Sequence, residues 1–357
     1  MIHEIPRACL TDYEYDMSES PMPTHSFDFP PFAPPWWVKG PHRMTLLPRW
    51  WPRTPPLHMP PSQSRIFKVT AETGLLTYCH WQPMPSQKPT LLLVHGLEGC
   101  TESHYMLGLA KKAWSRGWNC IRINQRNCGG SEHLTPTLYH GGLSQDYEAI
   151  IRELTEIDHC QCIWCIGYSM GGNLTLKLGG EAGETLPALR GLAAVCPNII
   201  PAACVRALQE PRNRIYHAFF LNSLKAKLRR KGKLYPGKWD LDRLPHISSM
   251  WEFDDVYTGP DGGFRDASDY YDQSASQRVF PLIRKPTLII TSQDDPFVPF
   301  TMFTDPIIHA NPFLQLIAPP YGGHCGFFQG HRLQEDPFWA ENRILDWIQS
   351  QLLPGSS

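Results

Sequence analysis

From residue 64 onward, apolar positions come in two alternating textures. Short apolar runs of strand length fall at Arg65–Ala71, Gly74–Trp81, Pro89–Val94, Asn119–Asn124, Cys160–Ile166, Leu189–Cys196, Pro286–Thr291 and Leu314–Ala318. Between them, apolar residues recur at helical spacing over Tyr105–Arg116, Leu143–Ile157 and Asn173–Leu178, and Trp339–Leu352 closes the chain the same way. Strand and helix signals in alternation predict an α/β fold: a mostly parallel, eight-stranded sheet with helices on both faces. Residues 200–280 break the pattern. They hold no strand-like run, and read as a helical lid inserted between two strands. The core therefore divides into 62–199 and 281–357.

Residues 1–61 differ again. Fourteen of the 35 prolines lie there, together with Trp36, Trp37, Trp50 and Trp51. Proline fixes φ and removes backbone donors, which excludes long helices and central strands. The segment reads as a loose acidic leader followed by an arm that packs its aromatics, with Phe29, Phe32 and Leu46, against the core.

Composition narrows the function. The 33 basic residues balance 34 acidic ones, for a net charge of −1. This gives no field for gathering nucleic acid. No apolar run approaches 18 residues, so no transmembrane segment is expected. The first 28 residues carry six acids and one base, unlike a secretory signal. Eleven cysteines without such a signal suggest reduced thiols and a cytoplasmic location. The tight cluster Cys160, Cys162 and Cys165 lacks a fourth ligand at zinc spacing and reads as small hydrophobes in a strand. No metal or organic cofactor is expected.

The chemistry centres on Gly167-Tyr168-Ser169-Met170-Gly171-Gly172. This is G-x-S-x-G, preceded by a strand and followed by a helix, the setting in which a serine sits exposed on a sharp turn. A serine hydroxyl needs a base, and in this arrangement the partners follow in the order acid, histidine. Of the downstream histidines, His324 lies in a loop directly after a late strand, behind two glycines. His331 and Asp336 form an H-x-x-x-x-D string that some acyltransferases carry, but it lies seven residues later and reads as surface. The acid comes from Asp294 or Asp295. Asp295 is favoured, in Asp-Pro-x-Val-Pro, with Asp294 capping the turn. Backbone amides of Met170 and Leu97 are the expected oxyanion donors, and His95 is expected to brace the loop beneath them.

These motifs together resemble the YheT-type branch of α/β-hydrolases, which includes bacterial hydrolases and the mammalian alpha/beta-hydrolase-domain proteins 1 and 3. The resemblance runs from the Pro-Pro-Trp-Trp arm at 34–37 through Val94–Gly99 and Asn124–Gly130. It continues through Trp251–Asp255, Gly263-Phe264 and Tyr270-Tyr271 to Asp294–Phe297 and Tyr321–Phe327. It implies a triad of Ser169, Asp295 and His324. Asn127 stands where the family usually has glycine, and asparagine tolerates positive φ better than most residues. The mammalian members carry a membrane anchor that this chain is not expected to have, so the soluble bacterial carboxylesterases are the nearer guide. The expected activity is hydrolysis of short- to medium-chain acyl esters. The alternatives are acyl transfer or lipase and phospholipase action by the same triad, or a non-catalytic binding protein. The lid aromatics Phe219, Phe220, Trp239 and Trp251 suggest an apolar acyl pocket. The basic residues Lys225, Lys227, Arg229, Arg230, Lys231 and Lys233 are expected to form a solvated helix face. Acyl length, pathway and oligomeric state are not legible.

Overall fold

The computed structural model describes residues 27–53, 58–330 and 335–352. The acidic leader and His331 lie outside these residues. The apolar runs form eight strands: β1 (Gln63–Thr70), β2 (Thr73–His80), β3 (Thr90–Val94), β4 (Asn119–Ile123), β5 (Ile163–Tyr168), β6 (Leu189–Val195), β7 (Thr287–Ile290) and β8 (Leu314–Ile317). They make one sheet in the order β1-β2-β4-β3-β5-β6-β7-β8. The β1–β2 and β2–β4 pairs are antiparallel, and every later pair is parallel.

Every residue of β3, β4, β5 and β7 is buried. That is why these strands read as continuous apolar runs rather than as alternation: helices cover both faces of a parallel sheet. One face packs Ile150, Ile151 and Leu154 of the helix Gln145–Glu156. The other packs Leu109 and Ala113 of the helix His104–Ser115 against Ile344 and Trp347 of Trp339–Leu352. The order reverses at β3, which lies between β4 and β5. In open α/β sheets, ligands bind beyond the carboxyl ends of the strands at such a reversal. The loop after β3 and the turn after β5 flank that point.

Between β6 and β7 the described chain is helical, with its longest helix at Arg214–Leu234. Leu221, Leu224, Leu228, Leu244, Met250 and Tyr270 join the core on the β5–β6 side.

The arm corrects one expectation. Phe32 does pack inward, 6.0 Å from Phe327 and 5.4 Å from Trp339 between ring centres. Trp37 and Trp51 stack on each other and reach Phe328. Trp36 and Trp50, however, are 82% and 69% exposed, and Leu46 is also exposed. The tryptophans occur as neighbours in sequence, and adjacent side chains do not share a face. Trp37 is itself 37% exposed, and Trp51 is the one that is partly buried against Val38, Met44 and Phe328.

The arm also touches the functional end of the sheet. Gly323 and Gly326 lie directly against residues 41–45. A Cβ on Gly326 would fall 1.9 Å from the Met44 carbonyl oxygen, so no side chain fits there. Across this contact the His324 backbone N–H donates to Thr45 Oγ1 at 2.8 Å.

Candidate active site

Ser169 directly follows β5 and is the N-cap of the helix Met170–Glu181. Its backbone stands at φ 54° and ψ −120°. For a residue with a Cβ this is strained, at a cost of about 1–3 kcal/mol. The turn is tight because its glycines let chains touch. A Cβ on Gly167 would lie 2.1 Å from the Gly171 carbonyl oxygen, and one on Gly171 would lie 2.4 Å from that of Val94. The strained turn is held by Ser169 N–H donating to Val195 O and Asn173 N–H donating to Ser169 O.

The two carboxylates after β7 take different partners. Asp295 Oδ2 lies 2.8 Å from His324 Nδ1. Its other oxygen accepts from the Phe297 and Val298 amides at 3.1 and 2.9 Å. The Asp295 side chain is fully buried. Asp294 accepts instead from the Gly323 amide at 2.8 Å, bracing the histidine loop from below. Ser292 adds a bond to the Gly323 carbonyl. Burial alone would pull the His324 pKa down, but the Asp295 carboxylate, with the Cys325 sulfur beside it, pushes it above the ordinary value. Phe297 packs on the imidazole, with ring centres 4.1 Å apart.

His95, in the loop after β3, is fully buried. Its Nδ1 faces the Gly96 carbonyl at 2.7 Å, and its Nε2 accepts from the Gln125 amide at 3.1 Å. One ring nitrogen donates and the other accepts, which is the neutral imidazole. Burial pushes its pKa down to about 4, in keeping with that state. His95 thus ties the β3 loop to the β4 loop. Gly96 lies against Ser169: a Cβ on it would be 3.0 Å from Ser169 Cβ.

Leu97, Ser169 and Met170 line one pocket of about 690 Å³, counted out to its open mouth. The insertion between β6 and β7 supplies much of the remaining wall, through Val205, Leu208, Phe220, Leu224 and Met250. Of the four aromatics expected to form an acyl pocket, Phe220 lines it. Phe219 is 53% exposed, Trp251 packs on Tyr271, and Trp239 donates to Asp261. Trp239 instead lines a separate cleft with Tyr257 and Arg243.

The α/β-hydrolase fold pattern matches residues 89–330. The chain is 33% identical to YheT of Escherichia coli strain K12, which bears an esterase name, over 87% of this chain and 91% of that protein. The chain belongs to the α/β-hydrolase family. Phospholipase ABHD3 of Mus musculus is 28% identical over 69% of this chain, a match that spans 60% of the mouse protein. Among solved structures, the esterase Pf2001 of Pyrococcus furiosus superposes with a TM-score of 0.53 at 14% identity, covering 90% of this chain and 99% of that one. At that identity the likeness concerns the fold. This hydrolase sits in the YheT branch, and no helix among its described residues is long and apolar enough to cross a membrane.

The basic run on the insertion is not the solvated face expected. Lys227 and Lys231 are 5% and 0% exposed. Residues 224, 227, 228 and 231 recur at helical spacing and form the inner face of Arg214–Leu234. Lys227 Nζ lies 2.6 Å from Glu98 Oε1, 3.1 Å from Cys128 Sγ and 4.1 Å from the Tyr139 ring centre. Lys231 donates to the carbonyls of Glu132 and Thr135. Arg229 and Lys233 are exposed.

Glu98 directly follows Leu97 and has φ 55°. Its carboxylate accepts from Tyr139, Ser223 and Lys227, and its own amide donates to Tyr139 Oη. Burial would raise the Glu98 carboxyl pKa, but Lys227 and the two hydroxyls hold it below the usual value. The insertion is therefore bonded to the loop that presents Leu97. Lys227→Met is expected to destabilise the fold by roughly 3–5 kcal/mol, because it strands a buried carboxylate. Urea unfolding measures this. The double variant with Glu98→Gln should lose less than the two single losses added together.

Thr45 carried no signal in sequence, whereas Asp254 and Asn127 fall within the family motifs. Thr45 anchors the His324 amide from 279 positions away. Asp254 lies in a one-turn π-helix, Asp254–Thr258, and lines the pocket, accepting from Tyr271 Oη at 2.6 Å. Burial pushes its carboxyl up to about 6. Asn127 does adopt positive φ, at 64°. Cys160, Cys162 and Cys165 do not converge: Cys160 and Cys165 face one core cluster and Cys162 the other.

Proposed function

We propose that this hydrolase is a serine carboxylic ester hydrolase acting on short- to medium-chain acyl esters through Ser169, His324 and Asp295. The observation that carries the reading is the shared wall of one pocket. Ser169 and Phe297 both line it, and Phe297 packs on the imidazole that Asp295 holds. A strained serine thus lines an apolar cavity whose wall residue Phe297 touches the imidazole of the acid–histidine pair. Ester or lipid names among the relatives favour an acyl substrate.

Ser169 Oγ attacks the acyl carbonyl while His324 Nε2 takes its proton. Asp295 holds Nδ1–H and stabilises the imidazolium that forms. The amides of Leu97 and Met170 receive the oxyanion, helped by the N-terminus of Met170–Glu181. Imidazolium then protonates the leaving alcohol. Water, deprotonated by His324, attacks the acyl-enzyme and releases the acid. The insertion acts as a lid whose inner wall, from Val205 to Met250, receives apolar substrate.

A fluorophosphonate probe is expected to label the folded full chain. On a panel of p-nitrophenyl esters, kcat/KM should peak among short to medium acyl chains and fall for long ones. Products should be free acid and alcohol. A folded protein that takes no label would mean that the fold here serves binding instead, and a long-chain optimum would reassign the substrate class.

A further inference from the structure

Cys196 directly follows the last residue of β6, and Cys325 directly follows His324. The two are 129 positions apart in sequence, and neither belongs to a spaced cysteine motif. The fold brings them together. Cys196 Sγ, Cys325 Sγ and a ring nitrogen of His324 all lie within 4.8 Å of one another, and this is the one His/Cys/Asp/Glu group with metal-ligand proximity among the described residues. The Cys325 amide donates to Cys196 Sγ at 3.3 Å, so the sulfur of one cysteine seats the backbone of the other. Both residues have positive φ, 45° at Cys196 and 61° at Cys325. Side chains rarely adopt that region, and such strain gathers at functional positions.

We infer that Cys196, Cys325 and His324 form a binding site for a thiophilic divalent cation, of which zinc is the type, and that its occupation switches the hydrolase off. The inhibitory half rests on the reading of His324 as the general base; the binding half does not. Zinc takes sulfur at about 2.3 Å and imidazole nitrogen at about 2.0–2.1 Å in tetrahedral geometry. Ligand atoms around such an ion stand roughly 3.5–3.8 Å apart, so this group needs to close by about an ångström. Two thiolates balance the dication, so the bound ion adds no net charge beside the buried Asp295 carboxylate. The balance is simple: the cation enters, the two thiol protons and any proton on the coordinating imidazole nitrogen leave to solvent, and no oxidant is required. Three protein ligands leave the fourth position to water. Cys325 and His324 are both half-buried, which gives the ion a way in.

Inhibition follows at either nitrogen. A cation on Nδ1 displaces the hydrogen bond to Asp295 Oδ2. A cation on Nε2 takes the lone pair that would accept the serine proton. Sequence spacing does not reveal this site for a plain reason: its ligands come from the ends of two different strands.

The test uses the full chain, reduced with a non-chelating phosphine, and Co²⁺ as a spectroscopic probe. One equivalent of Co²⁺ should raise a thiolate-to-cobalt charge-transfer band in the near ultraviolet. Cys325→Ser and Cys196→Ala, each checked for folding by circular dichroism, should both lose it. Zn²⁺ should inhibit ester turnover and EDTA should restore it. In the variants, the Zn²⁺ concentration for half inhibition should rise at least about 10–100-fold, the loss seen when even an outer-shell partner is removed. No band in the wild type, or a band that survives in the folded variants, overturns the site. Equal inhibition of wild type and variants overturns the switch. A wild type without ester turnover would count against the proposed activity, while the cobalt band would still decide the site. Should Cys196→Ala not fold, Cys325→Ser on its loop decides the matter.

Discussion

Replacing Ser169 with alanine is expected to abolish ester turnover, lowering kcat by roughly 10⁵–10⁶-fold, the loss seen when a nucleophile acting as part of a unit is removed. What survives would come from the oxyanion amides and substrate binding. The stability of the fold should hardly move, because alanine keeps the strained backbone at φ 54° and removes only a hydroxyl. Ser169→Gly separates strain from chemistry. Glycine accepts this backbone freely, which removes a cost of about 1–3 kcal/mol, against about 0.5–1 kcal/mol of extra chain entropy. The glycine variant should therefore be as inactive as the alanine variant but melt at a higher temperature. Calorimetry beside an ester assay reads both. Residual turnover near wild type in either variant would remove Ser169 from the mechanism.

The second large effect distinguishes neighbouring carboxylates. Asp295→Asn should lower kcat by about 10⁴-fold, the cost of presenting the imidazole in the wrong tautomer. The amide can still accept from Phe297 and Val298 through its oxygen, so its NH₂ would face His324 Nδ1 and favour protonation at Nε2. The ring would then have no lone pair for Ser169. Asp294→Asn leaves the imidazole's partner in place, and the asparagine oxygen can keep the bond from the Gly323 amide. Its loss should be tenfold or less. Steady-state kinetics on one ester settles the order, and a reversed order would transfer the role to Asp294.

Much of the candidate site is legible in the sequence because its motifs are local. Gly167–Gly172 carries the elbow within six residues, and the structure shows why the glycines are needed: their Cα atoms pack against carbonyl oxygens. The choice between Asp294 and Asp295 rested on loop form, and the structure gives each a separate partner. The basic run on Arg214–Leu234 departs from a solvated face because its composition masks its period. Six cations in nine residues look solvated, yet Lys227 and Lys231 share the inward face with Leu224 and Leu228. Long aliphatic stems let an ammonium cross an apolar face to reach Glu98 or a carbonyl oxygen. The tryptophans depart in the opposite sense: Trp36, Trp37 and Trp50 are exposed despite their hydrophobicity, and Trp51 is the partly buried one of the four.

By itself the sequence determined the sheet, the order of its helices and the residues at the ends of β3, β5, β7 and β8. Each of these follows from periodicity, glycine and loop chemistry within a dozen residues. Only the tertiary structure decided which groups meet across long separations: Thr45 with the His324 amide, Lys227 with Glu98, and Cys196 with Cys325. Those contacts depend on which face of a helix turns inward and where two strand ends stop. Short-range patterns constrain such geometry weakly, because many surfaces could satisfy them, and packing of the whole chain selects one.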